Sequence, residues 1–215
     1  MLVRGEFGAV PAMVGEGRKV LRNLQRVAKL FVAKAAFAAF LILSIGLTPT
    51  EYPLLPRHLS LAAGLTIGIP AFFLALAPSG GPYRTKGFLR EVARFAVPAG
   101  TAAGLGVTAG YLFALNVIGV PLVEARTVAT TILVAVGLYL ILALEAAGRR
   151  RGVAVTVLCA AMAALYGVAL ALPFTRHFFA LTVPGPAALA VAVIGAAIAV
   201  AGLVLTDDRF VPGSR

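Results

Sequence analysis

The chain has 215 residues, of which 60% are hydrophobic and 13% are charged, and its formal net charge is +11. A water-soluble domain needs far more polar surface, so this composition excludes one and favours a protein whose solvent is lipid. The basic residues cluster at the ends of apolar segments rather than among aromatic side chains, which argues against nucleic acid as a partner. The one cysteine, Cys159, excludes an intrachain disulfide framework and a thiolate metal site.

Six apolar segments predict six membrane-spanning helices, since about 20 residues of helix cross the hydrocarbon layer. These segments are 27–47, 59–77, 95–115, 128–147, 153–172 and 187–205. We therefore predict an all-α transmembrane fold, a six-helix bundle. The predicted organisation is a linker and cytoplasmic stalk at 1–26, the six-helix transmembrane domain at 27–206, and a cytoplasmic tail at 207–215.

The basic residues of the loops predict the orientation. Clusters of Lys and Arg precede the first segment and lie between segments 2 and 3 and between segments 4 and 5, whereas the other loops carry one each. Because basic loops remain in the cytoplasm, this alternation places both termini there.

Residues 15–31 predict a helix that extends below the first segment. Its apolar residues share one helical face: Val20, Leu24, Val27 and Phe31. Its basic residues follow one another on another face: Arg18, Arg22, Arg26 and Lys29. Either this helix rests on anionic lipid, or it is a stalk continuous with segment 1 that docks on a cytoplasmic domain. The absence of Pro and Gly between Arg18 and Gly46 favours the continuous stalk.

The second segment carries the best candidate for a cation path. Pro70 has no N–H, which frees carbonyl oxygens near Thr66 and Ile67, and Gly68 permits the helix to unwind locally. Free carbonyls and the Thr66 hydroxyl are hard oxygen ligands that suit a hard cation. The alternative is a purely structural kink, and this motif alone favours the kink, since Pro and Gly are frequent in membrane helices.

Lys34 lies inside the first segment, where it is either part of an ion path or a lysine that extends back to the interface. No carboxylate lies in the middle of any segment, which is atypical of a self-sufficient proton- or sodium-coupled carrier. Pairs of glycines four residues apart predict close helix packing at 64 and 68, 100 and 104, and 106 and 110.

Several stretches of the chain resemble P-type cation-transporting ATPases. Residues 18–31 resemble the stalk and the start of the fifth membrane helix of that family. Residues 65–78 resemble the sixth helix, in which Pro70 and the final Pro78 are family marks. Residues 5–11 resemble the stretch that leaves the phosphorylation domain. The sequence of these stretches is closest to the bacterial subgroup called cation-transporting ATPase E, and residues 88–100 fit that subgroup too.

The resemblance implies that the chain corresponds to the last six of the family's ten membrane helices. The phosphorylation, nucleotide-binding and actuator motifs of the family do not occur in this sequence. The chain by itself is therefore expected to bind no cofactor, with ATP and Mg belonging to the missing domains. The implied function is the membrane portion of an ATP-driven metal-cation pump for calcium or another divalent cation. The implied location is a bacterial plasma membrane.

The resemblance implies membrane lipid as a partner and, if the gene is split, the missing N-terminal part as a separate chain. Calcium-pump relatives carry acidic or amide side chains at their ion-binding positions. Among the matching positions of this chain, Thr66 is the one residue that keeps a side-chain oxygen. The other matching positions are Ala35, Ala38, Ala63, Ile67 and Gly137. Either backbone oxygens near Thr66 and the absent fourth helix bind the cation, or the ion differs. The alternatives to a pump are an inactive remnant or structural helper subunit, and an independent six-helix carrier.

Overall fold

The computed structural model describes residues 10–76, 87–145 and 149–212, and every regular element in these ranges is helical. The α-helices are α1 (Val10–Ser44), α2 (Pro56–Ala63), α3 (Ile69–Leu76), α4 (Phe88–Phe113), α5 (Leu122–Glu145), α6 (Arg149–Ala171), α7 (Pro173–Phe179) and α8 (Pro186–Thr206). Two π-helical turns, Gly64–Gly68 and Ala114–Ile118, and a 3-10 turn, Asp208–Phe210, complete the described elements. The predicted all-α fold is confirmed.

Five described helical stretches are long and apolar enough to cross a membrane. They are Asn23–Ser44, Phe88–Ile118, Leu122–Glu145, Gly152–Ala171 and Pro186–Thr206. These stretches match predicted segments 1, 3, 4, 5 and 6, so the chain is a multi-pass helical membrane protein. Predicted segment 2 is divided among α2, a π turn and α3, and its last residue, Ala77, lies outside the described residues. The sixth span and the cytoplasmic placement of both termini stay predictions.

The described residues of the predicted stalk and most of the first membrane segment form one helix. α1 runs without interruption over 35 residues, as expected from the lack of Pro and Gly after Arg18. The predicted boundary at residue 26 falls inside this helix, so the division into stalk and membrane domain stays a prediction. The side chains of Arg18, Arg22 and Arg26 lie outside the described part of the structure.

α4 packs along α1 and also contacts α5 and α8, whereas α5 is the most buried of the five membrane-length stretches. Gly100 allows the closest approach: a Cβ at this position would lie 2.6 Å from the Ala33 carbonyl oxygen and 2.7 Å from the Phe37 nitrogen. Gly104 faces the ring of Phe40 one turn later. The close packing predicted for this glycine pair is present, because only hydrogen at these positions lets the two backbones meet.

Of the other two glycine pairs, one lies in close contact with neighbouring helices and the other does not. Gly106 and Gly110, together with Gly195 of α8, surround the side chain of Ile132, which fills the space where α4, α5 and α8 meet. The pair at 64 and 68 makes no such contact. Nothing lies within 4 Å of a Cβ at Gly64, and only a carbonyl of its own helix lies near Gly68. The prediction of close packing is wrong for this pair, whose residues belong to the π turn.

Polar contacts tie the helices together at both ends of the bundle. At one end, Arg126 of α5 bonds the Tyr52 carbonyl at 3.1 Å and the Glu51 carboxylate at 3.0 Å. At the other end, the buried Phe210 packs on Phe95 with ring centroids 5.1 Å apart, and the Tyr139 hydroxyl donates to the Phe210 carbonyl at 2.6 Å. These contacts hold the ends of the helices that enclose the candidate site.

Candidate cation path

A cavity of about 60 Å³ lies where α1, α2, the first π turn, α4 and α5 meet. This volume holds a few water molecules or one partly hydrated metal ion. Its walls are mostly apolar. The lining residues are Leu30, Ala33, Lys34, Phe37, Leu59, Ala62, Ala63, Thr66, Ile67, Ala99, Gly100, Ala103, Leu133, Gly137 and Leu140.

The π turn gives one wall of the cavity its shape. The amide of Ile69 donates to the carbonyl of Gly64, five residues back, which is the widened spacing of a π-helix. Pro70 follows immediately and has no N–H for the next bond, so the regular α-helical pattern cannot pass through this point. The sequence predicted a local break in the helix. The structure corrects this, because the chain stays helical and accommodates Pro70 by widening one turn.

Thr66 is buried in the π turn, and its hydroxyl donates to the Ala62 carbonyl at 2.7 Å. This bond occupies the one hydroxyl hydrogen and leaves lone pairs of the oxygen as acceptors. Gly137 of α5 lies directly against Thr66: a Cβ there would be 2.7 Å from Cγ2 and 3.2 Å from Oγ1. The absence of a side chain at Gly137 is therefore what keeps Thr66 in place and the cavity open beside it.

Three of the five residues predicted for the ion path meet at this cavity: Lys34, Thr66 and Ile67. Gly68 is exposed on the opposite side of the π turn and does not line the cavity. Pro70 is buried but lies outside the lining, so its effect on the cavity is through the backbone of the preceding turn. Their roles in an ion path stay predictions.

The cavity also contains three of the positions at which the resemblance places ion-binding side chains in calcium pumps. Ala63, Ile67 and Gly137 line it, whereas Ala35 and Ala38 do not. Its polar side chains are the Thr66 hydroxyl and the Lys34 ammonium, and no carboxylate is among its lining residues. A cation here would depend on Thr66 and on carbonyl oxygens, which are suitable but incomplete ligands for a hard ion.

In the part of the chain that the structure describes, no three His, Cys, Asp or Glu side chains lie close enough together to hold a metal ion. The Lys34 charge would repel a cation at short distance in the low dielectric of the cavity. The described residues therefore provide part of a site rather than a complete cage. Further ligands would have to come from groups other than the residues that line this cavity.

The sequence did not predict most of the cavity wall. Ala33 and Phe37 of α1 and Ala99 and Ala103 of α4 recur at a spacing of four residues, which is the signal of a shared helix face. In a membrane helix, however, apolar residues occupy every face, so this spacing does not distinguish the cavity from lipid. Only the packing of the helices makes that distinction.

Of the predicted coupling cations, Lys29 is the one whose side chain the structure describes. It is buried, and its Nζ lies 2.6 Å from Oε1 of Glu91 in the first turns of α4. The first lining residue of α1, Leu30, follows it directly. α1 is thus joined to α4 by an ion pair one residue before its first lining residue.

The fold is that of a multi-pass helical membrane protein with a cavity enclosed between its helices. Comparison with curated proteins finds 34% identity over 211 residues with "Calcium-transporting ATPase CtpE" of Mycobacterium bovis. The protein of the same name from Mycolicibacterium smegmatis is 31% identical over 220 residues. The alignments cover 92% and 96% of this chain but 26% and 27% of those relatives, so the chain spans about a quarter of their length.

The chain is homologous to the C-terminal part of these calcium-transporting ATPases. This agrees with the resemblance to the membrane part of P-type ATPases, while the narrower subgroup stays a prediction. No family model matches the chain. No solved structure matches it either.

Proposed function

We propose that the chain is the membrane portion of an ATP-driven metal-cation pump, that it lines the ion path, and that it couples to cytoplasmic ATP-hydrolysing domains. The observation that carries the proposal is the identity of 31% to 34% with proteins named calcium-transporting ATPase over 92% to 96% of this chain. The transported ion is calcium or another divalent cation. The location is a bacterial plasma membrane, with both termini in the cytoplasm.

The π turn supplies the cation contacts of this chain. Thr66 offers hydroxyl lone pairs, and the turn before Pro70 offers carbonyl oxygens that the proline cannot engage. π turns in membrane helices occur frequently at functional sites, because they present backbone groups that a regular helix hides. The remaining ligands and the charge balance come from the rest of the pump.

α1 provides the coupling. Arg18 and Lys34 are 16 residues apart on one unbroken helix, which corresponds to about 24 Å at 1.5 Å per residue. A force applied to the stalk therefore reaches the cavity wall without passing through a loop. The ion pair between Lys29 and Glu91 makes α4 the support against which α1 moves.

The test is cation-stimulated ATP hydrolysis and Ca²⁺ uptake in liposomes containing this chain, with and without a co-expressed fragment that carries the phosphorylation, nucleotide-binding and actuator domains and the first four helices. Activity only in the presence of the fragment is expected. If the two chains bind each other but no cation stimulates hydrolysis, the chain is a structural remnant. Uptake by this chain alone, without ATP, would instead support an independent carrier.

Charge reversal of Arg22 and Arg26 to Glu is expected to lower cation-stimulated ATP hydrolysis of the reconstituted pump, because the basic face of the stalk would no longer attract the cytoplasmic domains. A loss of about tenfold corresponds to roughly 1.4 kcal/mol of docking energy. Arg90→Glu on the exposed first turn of α4 is the matched control. Unchanged hydrolysis in the double variant, or an equal loss in the control, would contradict a coupling role for the stalk.

A further inference from the structure

His58 directly precedes Leu59, one of the residues of α2 that line the cavity. It lies in the first turn of α2, is completely buried, and uses both ring nitrogens. Nδ1 accepts a hydrogen bond from the Leu55 amide at 3.1 Å, and Nε2 lies 3.2 Å from the Ala180 carbonyl at the end of α7. The imidazole thus connects α2 and its preceding loop with a segment more than a hundred residues later in the chain.

These two contacts require one protonation state. A nitrogen that accepts from an amide carries no proton, and a nitrogen that faces a carbonyl must carry one. The neutral Nε2–H tautomer satisfies both contacts. The charged imidazolium does not, because Nδ1–H would point at the Leu55 N–H.

Neighbouring charges also disfavour the imidazolium. The titratable and charged groups on the elements packed around His58 are Arg57 on α2, Arg126 and Glu124 on α5, Arg176 and His177 on α7, and Glu51 and Tyr52 in the preceding loop. Both carboxylates are already engaged: Glu51 pairs with Arg126 at 3.0 Å, and Glu124 accepts from the Gly185 amide at 2.7 Å. The N-terminus of α2 adds a partial positive charge of its own.

The partner of His58 is held in a strained conformation. Ala180 has φ 50° and ψ 47°, and it is the one non-glycine residue with positive φ in the described part of the chain. The left-handed conformation is unfavourable for alanine, because its Cβ comes too close to the following carbonyl oxygen. The contact from His58, supported by a bond from Arg57 to the Phe178 carbonyl at 3.4 Å, helps to hold this conformation. Loss of the contact therefore favours relaxation of the segment after α7.

We propose that His58 is a proton-operated latch: protonation of its imidazole releases α2 from α7 and loosens the end of the cavity lined by Leu59 and Ala62. Leu59 follows His58 directly, and Ala62 carries the carbonyl that accepts from Thr66. Movement of α2 therefore reaches the π turn. By the charge pattern this end faces away from the cytoplasm, so external acidity controls the latch. This inference concerns access and does not depend on the pump function.

The direction of the pH response follows from burial. Burial lowers the pKa of His58 below its ordinary value of 6.5; the Ala180 hydrogen bond opposes this, and Arg57 and Arg126 lower it further. The unfolded or released segment then binds a proton more readily than the latched one. The stabilising contribution is complete above pH 6.5 and decreases as the pH falls below it.

The experiment combines two measurements on the full chain in lipid nanodiscs. The chain has two histidines, so ¹⁵N-histidine NMR resolves His58 from the exposed His177, which serves as an internal reference. We expect the Nε2–H tautomer for His58 and a pKa below its ordinary value of 6.5. Hydrogen exchange of residues 52–58 and 176–182, corrected for its intrinsic pH dependence, is expected to lose about tenfold protection between about pH 7.5 and about pH 5.

Variants separate the latch from general acid instability. His58→Gln can keep both hydrogen bonds without titrating, so its protection should not change with pH. His58→Ala should be unprotected at both pH values, and His177→Gln should behave as wild type. The proposal is overturned if wild-type protection is constant over this range, if the loss persists in His58→Gln, or if the NMR titration shows His58 charged at neutral pH. The NMR result is decisive even if a variant fails to fold.

Discussion

Replacing Gly100 with alanine is expected to destabilise the folded bundle by about 1–3 kcal/mol, which is the usual cost of forcing extra volume into a close-packed contact. The added methyl group would lie 2.6 Å from both the Ala33 carbonyl oxygen and the Ala36 Cβ. Two of the atoms it meets belong to the backbone of α1, so no side-chain rotation relieves the contact. α1 must move away from α4 along its longest interface.

Thermal unfolding followed with a thiol-reactive fluorophore measures this effect, because the buried Cys159 becomes reactive only when α6 separates from the bundle. Gly167→Ala in α6 is the matched control, since nothing lies within 4 Å of a Cβ at that position. The control is expected to be neutral or slightly stabilising, by about 0.5–1 kcal/mol, as for alanine replacing glycine within a helix. Equal melting temperatures for Gly100→Ala and wild type would contradict the observed packing of α1 on α4.

Gly137→Ala is expected to reduce cation transport by the reconstituted pump about tenfold or more, equivalent to at least roughly 1.4 kcal/mol. The new Cβ would lie 2.7 Å from Cγ2 and 2.8 Å from Cβ of Thr66. Thr66 would have to turn or shift, and its hydroxyl would leave the position beside the cavity. The methyl group would also occupy part of a volume of about 60 Å³.

Thr66→Val tests the same site by removing the hydroxyl while keeping the shape of the side chain. Thr101→Val on α4 is its control, because the Thr101 hydroxyl makes the same kind of bond, to the Val97 carbonyl at 2.9 Å, outside the cavity lining. Cation uptake and melting temperature are measured together for all variants. A Gly137→Ala pump with wild-type uptake and stability would remove this cavity from the ion path.

The elements that follow from local composition were predicted well. The apolar stretches of the first, third, fourth, fifth and sixth segments all coincide with helices able to span a membrane. The unbroken course of α1 from Arg18 to Ser44 follows from the lack of Pro and Gly in that part of the helix. The packing role of Gly100 and Gly104 was also predicted. The same four-residue spacing at Gly64 and Gly68 gave a wrong prediction, because spacing does not show whether a partner helix lies on that face.

The candidate site was predicted only in part. Thr66, Ile67 and Lys34 meet at the cavity, but the role of Gly137 as direct neighbour of Thr66 depends on how α5 approaches the π turn. The contact of His58 with Ala180 joins residues 122 positions apart, and no local sequence pattern predicts it. The α7 helix itself has seven residues and gave no distinct signal in the sequence.

The sequence by itself determined that lipid surrounds the chain, where five membrane-spanning helices lie, that α1 is unbroken from Arg18 to Ser44, and that the chain is related to calcium-transporting ATPases. These properties depend on the length of apolar stretches, on where charges interrupt them and on short motifs, all of which are local along the chain. The tertiary structure decided that Pro70 is accommodated by a π turn, which faces of α1, α4 and α5 enclose the cavity, and where His58 makes its contacts. The physical reason is that helices in lipid are apolar on every side, so only their packing distinguishes an interior face from one that meets lipid.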